Sequence, residues 1–291
     1  MTLQRFESQF VKMLPSIIQQ RSHFFEAFGG ALEITDGVSD NKNAFTLKKN
    51  VDPVTINNYS TDANNVFGDN STQPHNRFGN MVEIKYTNVD VPYTWDWSAR
   101  EGFDRHTVNA NLEEAVADRL SKIGLAIAGK MSTELGKKLA DAKTKELTAE
   151  DATAESLTKL FGQAYAEMEN AEVFATKRAY VTPELYSALV DMNLTTTAKN
   201  STANIDSNEL RAFKGFILNV VPTKYMPADT DVIFTADGVG IGFIGIQTAR
   251  TLESNDFDGI ELQEANKGGA YIPDDNKVAI YTGKITGLPA A

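Results

Sequence analysis

Cysteine is absent from the 291 residues. That excludes disulfides, a thiolate metal site and a cysteine nucleophile. Histidine is nearly absent: His23, His75 and His106 fall on three different predicted elements, without metal-ligand spacing. No stretch is long and apolar enough to span a bilayer, and no uninterrupted apolar run follows Met1-Thr2-Leu3-Gln4-Arg5-Phe6, so neither a membrane span nor a secretory signal is expected. Basic residues are the minority, 28 Lys plus Arg against 39 Asp plus Glu. A groove-reading nucleic-acid binder needs a basic patch. An acidic surface can still lie beside a packed polyanion, which it repels and leaves mobile. Gly-x-Ser-x-Gly and His-Glu-x-x-His are missing too, so two common hydrolase signatures are excluded.

What is present begins with one long amphipathic stretch, 108–143. Leu112, Val116, Leu120, Ile123, Ile127, Met131, Leu135 and Leu139 recur at steps of three and four and make one apolar stripe. Asn109 or Asn111 can cap its start, with Glu113 and Glu114 complementing the helix dipole. Some 35 residues give a rod of roughly 50 Å. The stripe is one-sided and lacks sustained heptads, so the helix reads as a spine packed on a sheet completed by Val278–Ile285 rather than as a free coiled coil. Gly124, Gly129 and Gly136 each cost about 1 kcal/mol in a helix interior. They imply a close approach there, which at Gly129 is expected to be another subunit's arm or strand.

Before the helix, Thr2 to Phe28 is helical by period: Leu3, Phe6, Phe10, Leu14, Ile17, Phe24 and Phe28 form most of one stripe, interrupted by Pro15 and stopped at Gly29-Gly30. It reads equally as an arm that docks on a partner and as an ordinary core helix. Phe45 and Leu47, then Val54 and Ile56, alternate with polar residues. Residues 57–80 are rich in Asn, Ser, Thr, Asp and Gly, with Tyr59, Val66, Phe67 and Phe78 as the large apolar residues. Loops of this length in a compact domain are usually functional or disordered. Val82, Ile84 and Tyr86 then alternate, as do Val89, Val91, Tyr93, Trp95 and Trp97. The parity switch across Thr87-Asn88 predicts a bulge or bend. Residues 45–98 therefore read as a two-stranded excursion with a polar tip and with both Trp residues on its return strand. An isolated hairpin is marginal in water, so this one needs another surface.

After the helix, Lys145 to Asp151 reads as a polar link. Ala154 to Met168 is a second helix capped by Thr153, Arg178 to Thr182 a strand, and Pro183 to about Met192 a third helix with Pro in its first turn. Residues 194–208 read as a loop. A strand pair surrounds Lys214-Gly215, and Asp231 to Thr235 is a buried strand. The glycines of Gly238-Val239-Gly240-Ile241-Gly242-Phe243-Ile244-Gly245 lack nucleotide-binding spacing and no P-loop Lys-Ser/Thr follows, so a packed strand or helix start is expected. Ala249 to Leu262 reads as polar and turn-rich. Asp256-Phe257-Asp258-Gly259-Ile260-Glu261 only hints at the alternation of a calcium loop, and a solvated turn is expected.

The order of these parts resembles the major capsid proteins of tailed bacteriophages, the Hong Kong 97-type fold. Local text is similar as well. Arg178-Ala179-Tyr180-Val181-Thr182-Pro183-Glu184-Leu185 looks like the family's strand-then-helix entry into its axial domain. Lys214-Gly215-Phe216-Ile217-Leu218-Asn219-Val220-Val221-Pro222-Thr223 is similar to the strand that often follows, and Asp231-Val232-Ile233-Phe234-Thr235-Ala236 to the later strand ending in Ala. The resemblance implies an α+β capsid fold: an N-terminal arm (1–44), an extended loop or E-loop hairpin (45–100), a peripheral domain with the spine helix (101–153), an axial α/β domain (154–248) and a return to the peripheral domain (249–291). It implies a structural virion protein, not an enzyme, that forms hexamers and pentamers of a head enclosing double-stranded DNA without sequence-specific contacts. A portal protein at one vertex, no membrane, no metal and no cofactor are expected. Only about 50 residues precede the excursion, which implies either a separate scaffolding protein, the expected case, or none. No Lys-Asn-Glu cross-linking set can be matched, and none is expected. Inter-subunit contacts are expected at Phe6, Phe10, Tyr59, Phe67, Phe78, Trp95, Trp97 and Gly129. An encapsulin-type nanocompartment is the alternative with the same fold. A soluble ligand-binding enzyme using Gly238–Gly245 is the alternative from another class.

Overall fold

In the computed structural model the described residues are 22–29, 33–34, 42–50, 52–61, 77–78, 81–107, 112–195 and 211–288. Expectations on Phe6, Phe10, Phe67, His75 and the caps at Asn109 and Asn111 lie outside them. The chain divides into two compact units, Asp40–Pro92 and the remainder.

The smaller unit holds one antiparallel ladder, β2 (Asn43–Lys49) with β3 (Thr87–Pro92), in the register Phe45↔Val91 to Lys49↔Thr87. Thr46 Oγ1 donates to Asp90 Oδ1 (2.7 Å) across it. Beyond Lys49 the ladder stops: Val82, Ile84 and Tyr86, expected to be strand, alternate but belong to no strand. Alternation reports an extended chain, whereas a strand also needs a partner. Opposite them the chain turns at Asn50, whose side chain accepts from the Asp52 N–H (2.7 Å), and continues into Pro53, which has no N–H to give. What ties the two legs together is polar: the Lys85 N–H donates to Asp52 Oδ2 (2.9 Å) and the Ser60 N–H to the Arg77 carbonyl (2.9 Å).

The larger unit is built on α1 (Leu112–Asp141), 30 residues long. Val116, Ile123, Ile127, Met131, Leu135 and Leu139 of the predicted stripe are buried. They join one core with Trp95, Ile244, Ala249, Ile260, Leu262 and Ala270, and with Tyr180, Ile233 and Ile280. The first group lies on a four-stranded sheet of order β1 (Glu33–Ile34), β10 (Ile241–Glu253), β11 (Gly259–Tyr271) and β4 (Trp95–Asp104). Residues 249–262, expected to be turn-rich, hold the turn of the long β10–β11 hairpin at 254–258, but 249–253 and 259–262 on either side of it are strand. Its residues facing away from α1, such as Arg250, Glu261 and Gln263, are polar, and its inward face includes the small Ala249 and polar Thr251. No apolar period survives that mixture. Trp95 and Trp97 leave the excursion altogether: they sit on β4, whose register Trp97↔Asn266 and Trp95↔Gly268 pairs it with β11.

The second group lies on a six-stranded sheet of order β5 (Lys145–Ala149), β12 (Tyr281–Ile285), β9 (Val232–Ala236), β6 (Lys177–Val181), β8 (Phe216–Val220) and β7 (Ala212–Phe213). Its other face packs on α2 (Ala154–Asn170) and α3 (Pro183–Thr195) through a separate core centred on Phe161, Phe216 and Phe234. Thr153 Oγ1 caps α2 by accepting from the Ser156 N–H (3.4 Å). Lys214 and Gly215 both take positive φ, 49° and 86°, as a two-residue β7–β8 turn requires. The predicted polar link is β5, an edge strand parallel to β12 with only Leu147 and Ala149 inward. The closing strand thus lies between β5 and β9, and the expected boundary at 248/249 falls inside β10.

A short 3-10 turn, Phe25–Phe28, ends at Gly29 with φ 84°. The turn is clamped from above and below. The Gly238 and Gly240 N–H groups donate to the Glu26 and Ala27 carbonyls (3.0 and 3.1 Å). Tyr180 Oη donates to the Glu26 carboxylate (3.4 Å). Arg178 holds Asp237 with both guanidinium arms, at 2.5 and 3.3 Å.

Candidate interaction surfaces

Two surfaces stand out. The first is an apolar ribbon on the smaller unit. Val54 and Ile56 on one leg, and Met81, Val82, Ile84 and Tyr86 on the other, are exposed, Ile56 at 91% and Met81 at 94%. Tyr59 and Phe78 meet edge to face at 5.2 Å beside it. Exposed apolar side chains this concentrated mark an interaction site. The extended legs also carry backbone donors and acceptors outside any strand, which suits strand addition.

The second surface is a groove of about 300 Å³ between α1 and the β4–β11 pair. Trp97, Ile123, Ala126 and Ile127 give it apolar walls. Trp95 and Trp97, two residues apart on one strand and so on one face, stack at 5.3 Å and 11°. Gly268 makes room for this, since a Cβ there would lie 2.8 Å from Trp95 Nε1. Lys130 Nζ sits 5.6 Å above the Trp97 ring. At one end Arg119 grips Glu101 with two hydrogen bonds of 2.5 Å, which hold the Glu101 carboxyl below its ordinary range. On the outer face of the same sheet, hydrogen bonds from Arg100 and Gln263 hold the Glu261 carboxyl at about 2.

Glu264 lies in this groove and is its least expected residue. It is 5% exposed, and neither carboxylate oxygen has a hydrogen-bond partner among the described residues. Burial pushes its carboxyl up to about 7. Asn266 beside it accepts from Trp95 Nε1 (3.1 Å) and leaves its own Nδ2 unpaired. Nothing in Gln263-Glu264-Ala265-Asn266 announces this, because every residue there is polar or small.

The remaining expected contacts fall elsewhere. Gly129 is approached within its own chain: a Cβ there would lie 2.8 Å from Tyr225 Oη. The close approach expected at this glycine is thus made by Tyr225 of the same chain. The Gly238–Gly245 cradle is closed as well, with Phe28 packed over Gly240 and Tyr93 over Gly245. His23 lies beside the Tyr225 ring at 5.5 Å, where burial lowers its pKa, and His106 is exposed. Among the described residues no group of three or more His, Asp or Glu is placed to hold a metal ion, and no helix is long and apolar enough to cross a membrane.

No protein-family model matches the sequence, and no curated protein matches it either. Solved structures do. The mature capsid of bacteriophage PhiM1 aligns with a TM-score of 0.65 at 13% identity, covering 92% of this chain and 88% of that one. The capsid of cyanophage P-SCSP1u aligns at 0.65 and 10% identity, covering 88% and 86%. The chain has the Hong Kong 97-type capsid fold. A virus-like particle from Pyrococcus furiosus aligns at 0.54 and 11% identity, covering 96% and 99%. At these identities what is shared with the Hong Kong 97-type shells is the fold, near full length in each case.

Proposed function

We propose that this protein is the structural subunit of a tailed-phage head, forming hexamers and pentamers around double-stranded DNA. The observation that carries the reading is the ribbon Val54, Ile56, Val82, Ile84 and Tyr86: a separate unit that leaves this much apolar side chain in water needs copies to cover it. Repeated heterologous contacts of that kind close a shell. The acidic balance, net charge −11, suits a wall that encloses a polyanion without gripping it. Tyr59 and Phe78 flank the ribbon and belong to the same contact; Trp95 and Trp97 belong to the α1 groove. The N-terminal arm, with Phe6 and Phe10, would dock on scaffold or neighbour, and the 57–80 loop with Phe67 would form the excursion's tip. In this reading the shell carries a portal at one vertex, uses a separate scaffolding protein, assembles in the host cytoplasm and serves in the virion without enzymatic activity or cofactor.

Negative-stain microscopy of the expressed full chain tests the reading. Closed shells, alone or with a co-expressed scaffold, are expected; discrete monomers at high concentration would overturn it. An encapsulin-type compartment is the second reading, favoured by the likeness to the Pyrococcus furiosus particle. Purified particles holding protein instead of DNA would select it.

A further inference from the structure

We propose that the groove between α1 and β4–β11 receives a lysine or arginine side chain from a second copy of this chain, whose cationic head pairs with Glu264. The inference rests on the shell reading for the source of the cation and on the groove itself for its chemistry. A carboxylate that is 5% exposed and without a partner among the described residues leaves a strong acceptor unsatisfied. The walls around it, Trp97, Ile123, Ala126 and Ile127, suit an aliphatic stem. The cations of the same copy that line the groove are engaged elsewhere. Arg119 is held by Glu101 at 2.5 Å, Lys122 by Asp118 at 2.6 Å, and Lys130 lies over Trp97. Only burial acts on the Glu264 carboxyl, with no neighbouring charge offsetting it. One carboxylate beside one amide is too small a ligand set for a metal ion, but it suits an ammonium or guanidinium group. A second copy is the fitting source, because subunits each of net charge −11 repel unless cation–carboxylate contacts are placed at their interfaces.

The test uses the full chain and E264Q at pH 8. Unassembled wild-type protein is titrated with butylammonium, an aliphatic stem with a cationic head, and with 1-butanol as the neutral stem. Butylammonium is expected to raise the thermal midpoint of the wild type and to slow assembly; 1-butanol is expected to do neither, and E264Q not to respond. E264Q is expected to fold at least as well as the wild type yet need about ten-fold more protein to assemble, opposite directions that loss of folding cannot mimic. A126F, at an exposed position of the groove wall, is expected to block assembly with folding intact. If the wild type assembles and E264Q assembles at the same concentration, or butylammonium shifts both proteins equally, the inference falls while the shell reading stands. If the wild type never assembles, the shell reading falls and takes the second-copy source with it.

Discussion

Phe24 lies against Gly136: a Cβ on that helix residue would come 2.8 Å from the phenyl ring. The contact seats the 3-10 turn Phe25–Phe28 on α1, and Tyr180 closes on Phe24 from the sheet at 4.8 Å. The glycine therefore records where another part of the same chain crosses the helix. G136V should destabilise the unassembled protein by about 1–3 kcal/mol, as overpacking does. Gly162 in α2 has open space around its Cβ position, so G162A should stabilise by roughly 0.5–1 kcal/mol. Urea unfolding of the two variants should move in opposite directions.

Stability should depend on pH through Glu264. Its folded carboxyl titrates near 7, above the ordinary carboxylate value of 4.5. Between those values the folded state holds more protons than the unfolded state, so stability falls as pH rises and the loss is complete above 7. The decline should be roughly 2–3 kcal/mol. E264Q should flatten it, leaving the two proteins furthest apart at pH 8. Urea midpoints at pH 5 and pH 8 check both the sign and the size.

The ribbon can be tested without touching a core. Ile56 and Ile84 are exposed at 91% and 64%, so I56D/I84D should change stability by no more than about 0.5 kcal/mol per site. Sedimentation of the same variant should show loss of particles, if covering the ribbon is what drives association. Normal particles from a normally folded double variant would remove the ribbon from the assembly contact.

The stacked pair Trp95–Trp97 should give a coupled near-ultraviolet circular-dichroism signal, given the 5.3 Å separation. W97F should abolish that coupling with little loss of stability, since Trp97 is half-buried. W95F should cost about 1–3 kcal/mol as well, because it strands the Asn266 carbonyl in a buried setting. A thermal melt beside each spectrum separates the two outcomes.

How far the sequence discloses this molecule depends on whether a feature is periodic. The α1 stripe from Val116 to Leu139, the Thr153 cap and the Lys214-Gly215 turn are local patterns with local causes, and they are legible in advance. β5 and the β10–β11 hairpin are not: β5 turns only Leu147 and Ala149 inward, and β11 buries Glu261, Glu264 and Asn266 among Ile260 and Leu262, so its buried residues show no apolar period. The excursion is misplaced at its return for a related reason. Val89 to Trp97 alternate without interruption, yet the partner strand changes from β2 to β11 between Pro92 and Trp95. Alternation carries no mark of which neighbour is paired. Glu264 is the extreme case. Its isolation is a property of what three separate elements fail to supply, and no window of sequence contains all three.

The order of strands in the six-stranded sheet carries a consequence for the timing of synthesis. β12 (Tyr281–Ile285) lies between β5 and β9, bonded to both. Among the described residues β5 has no partner in its sheet other than β12. A ribosome must therefore deliver residue 285 before the sheet can close, although most of the two cores has already emerged.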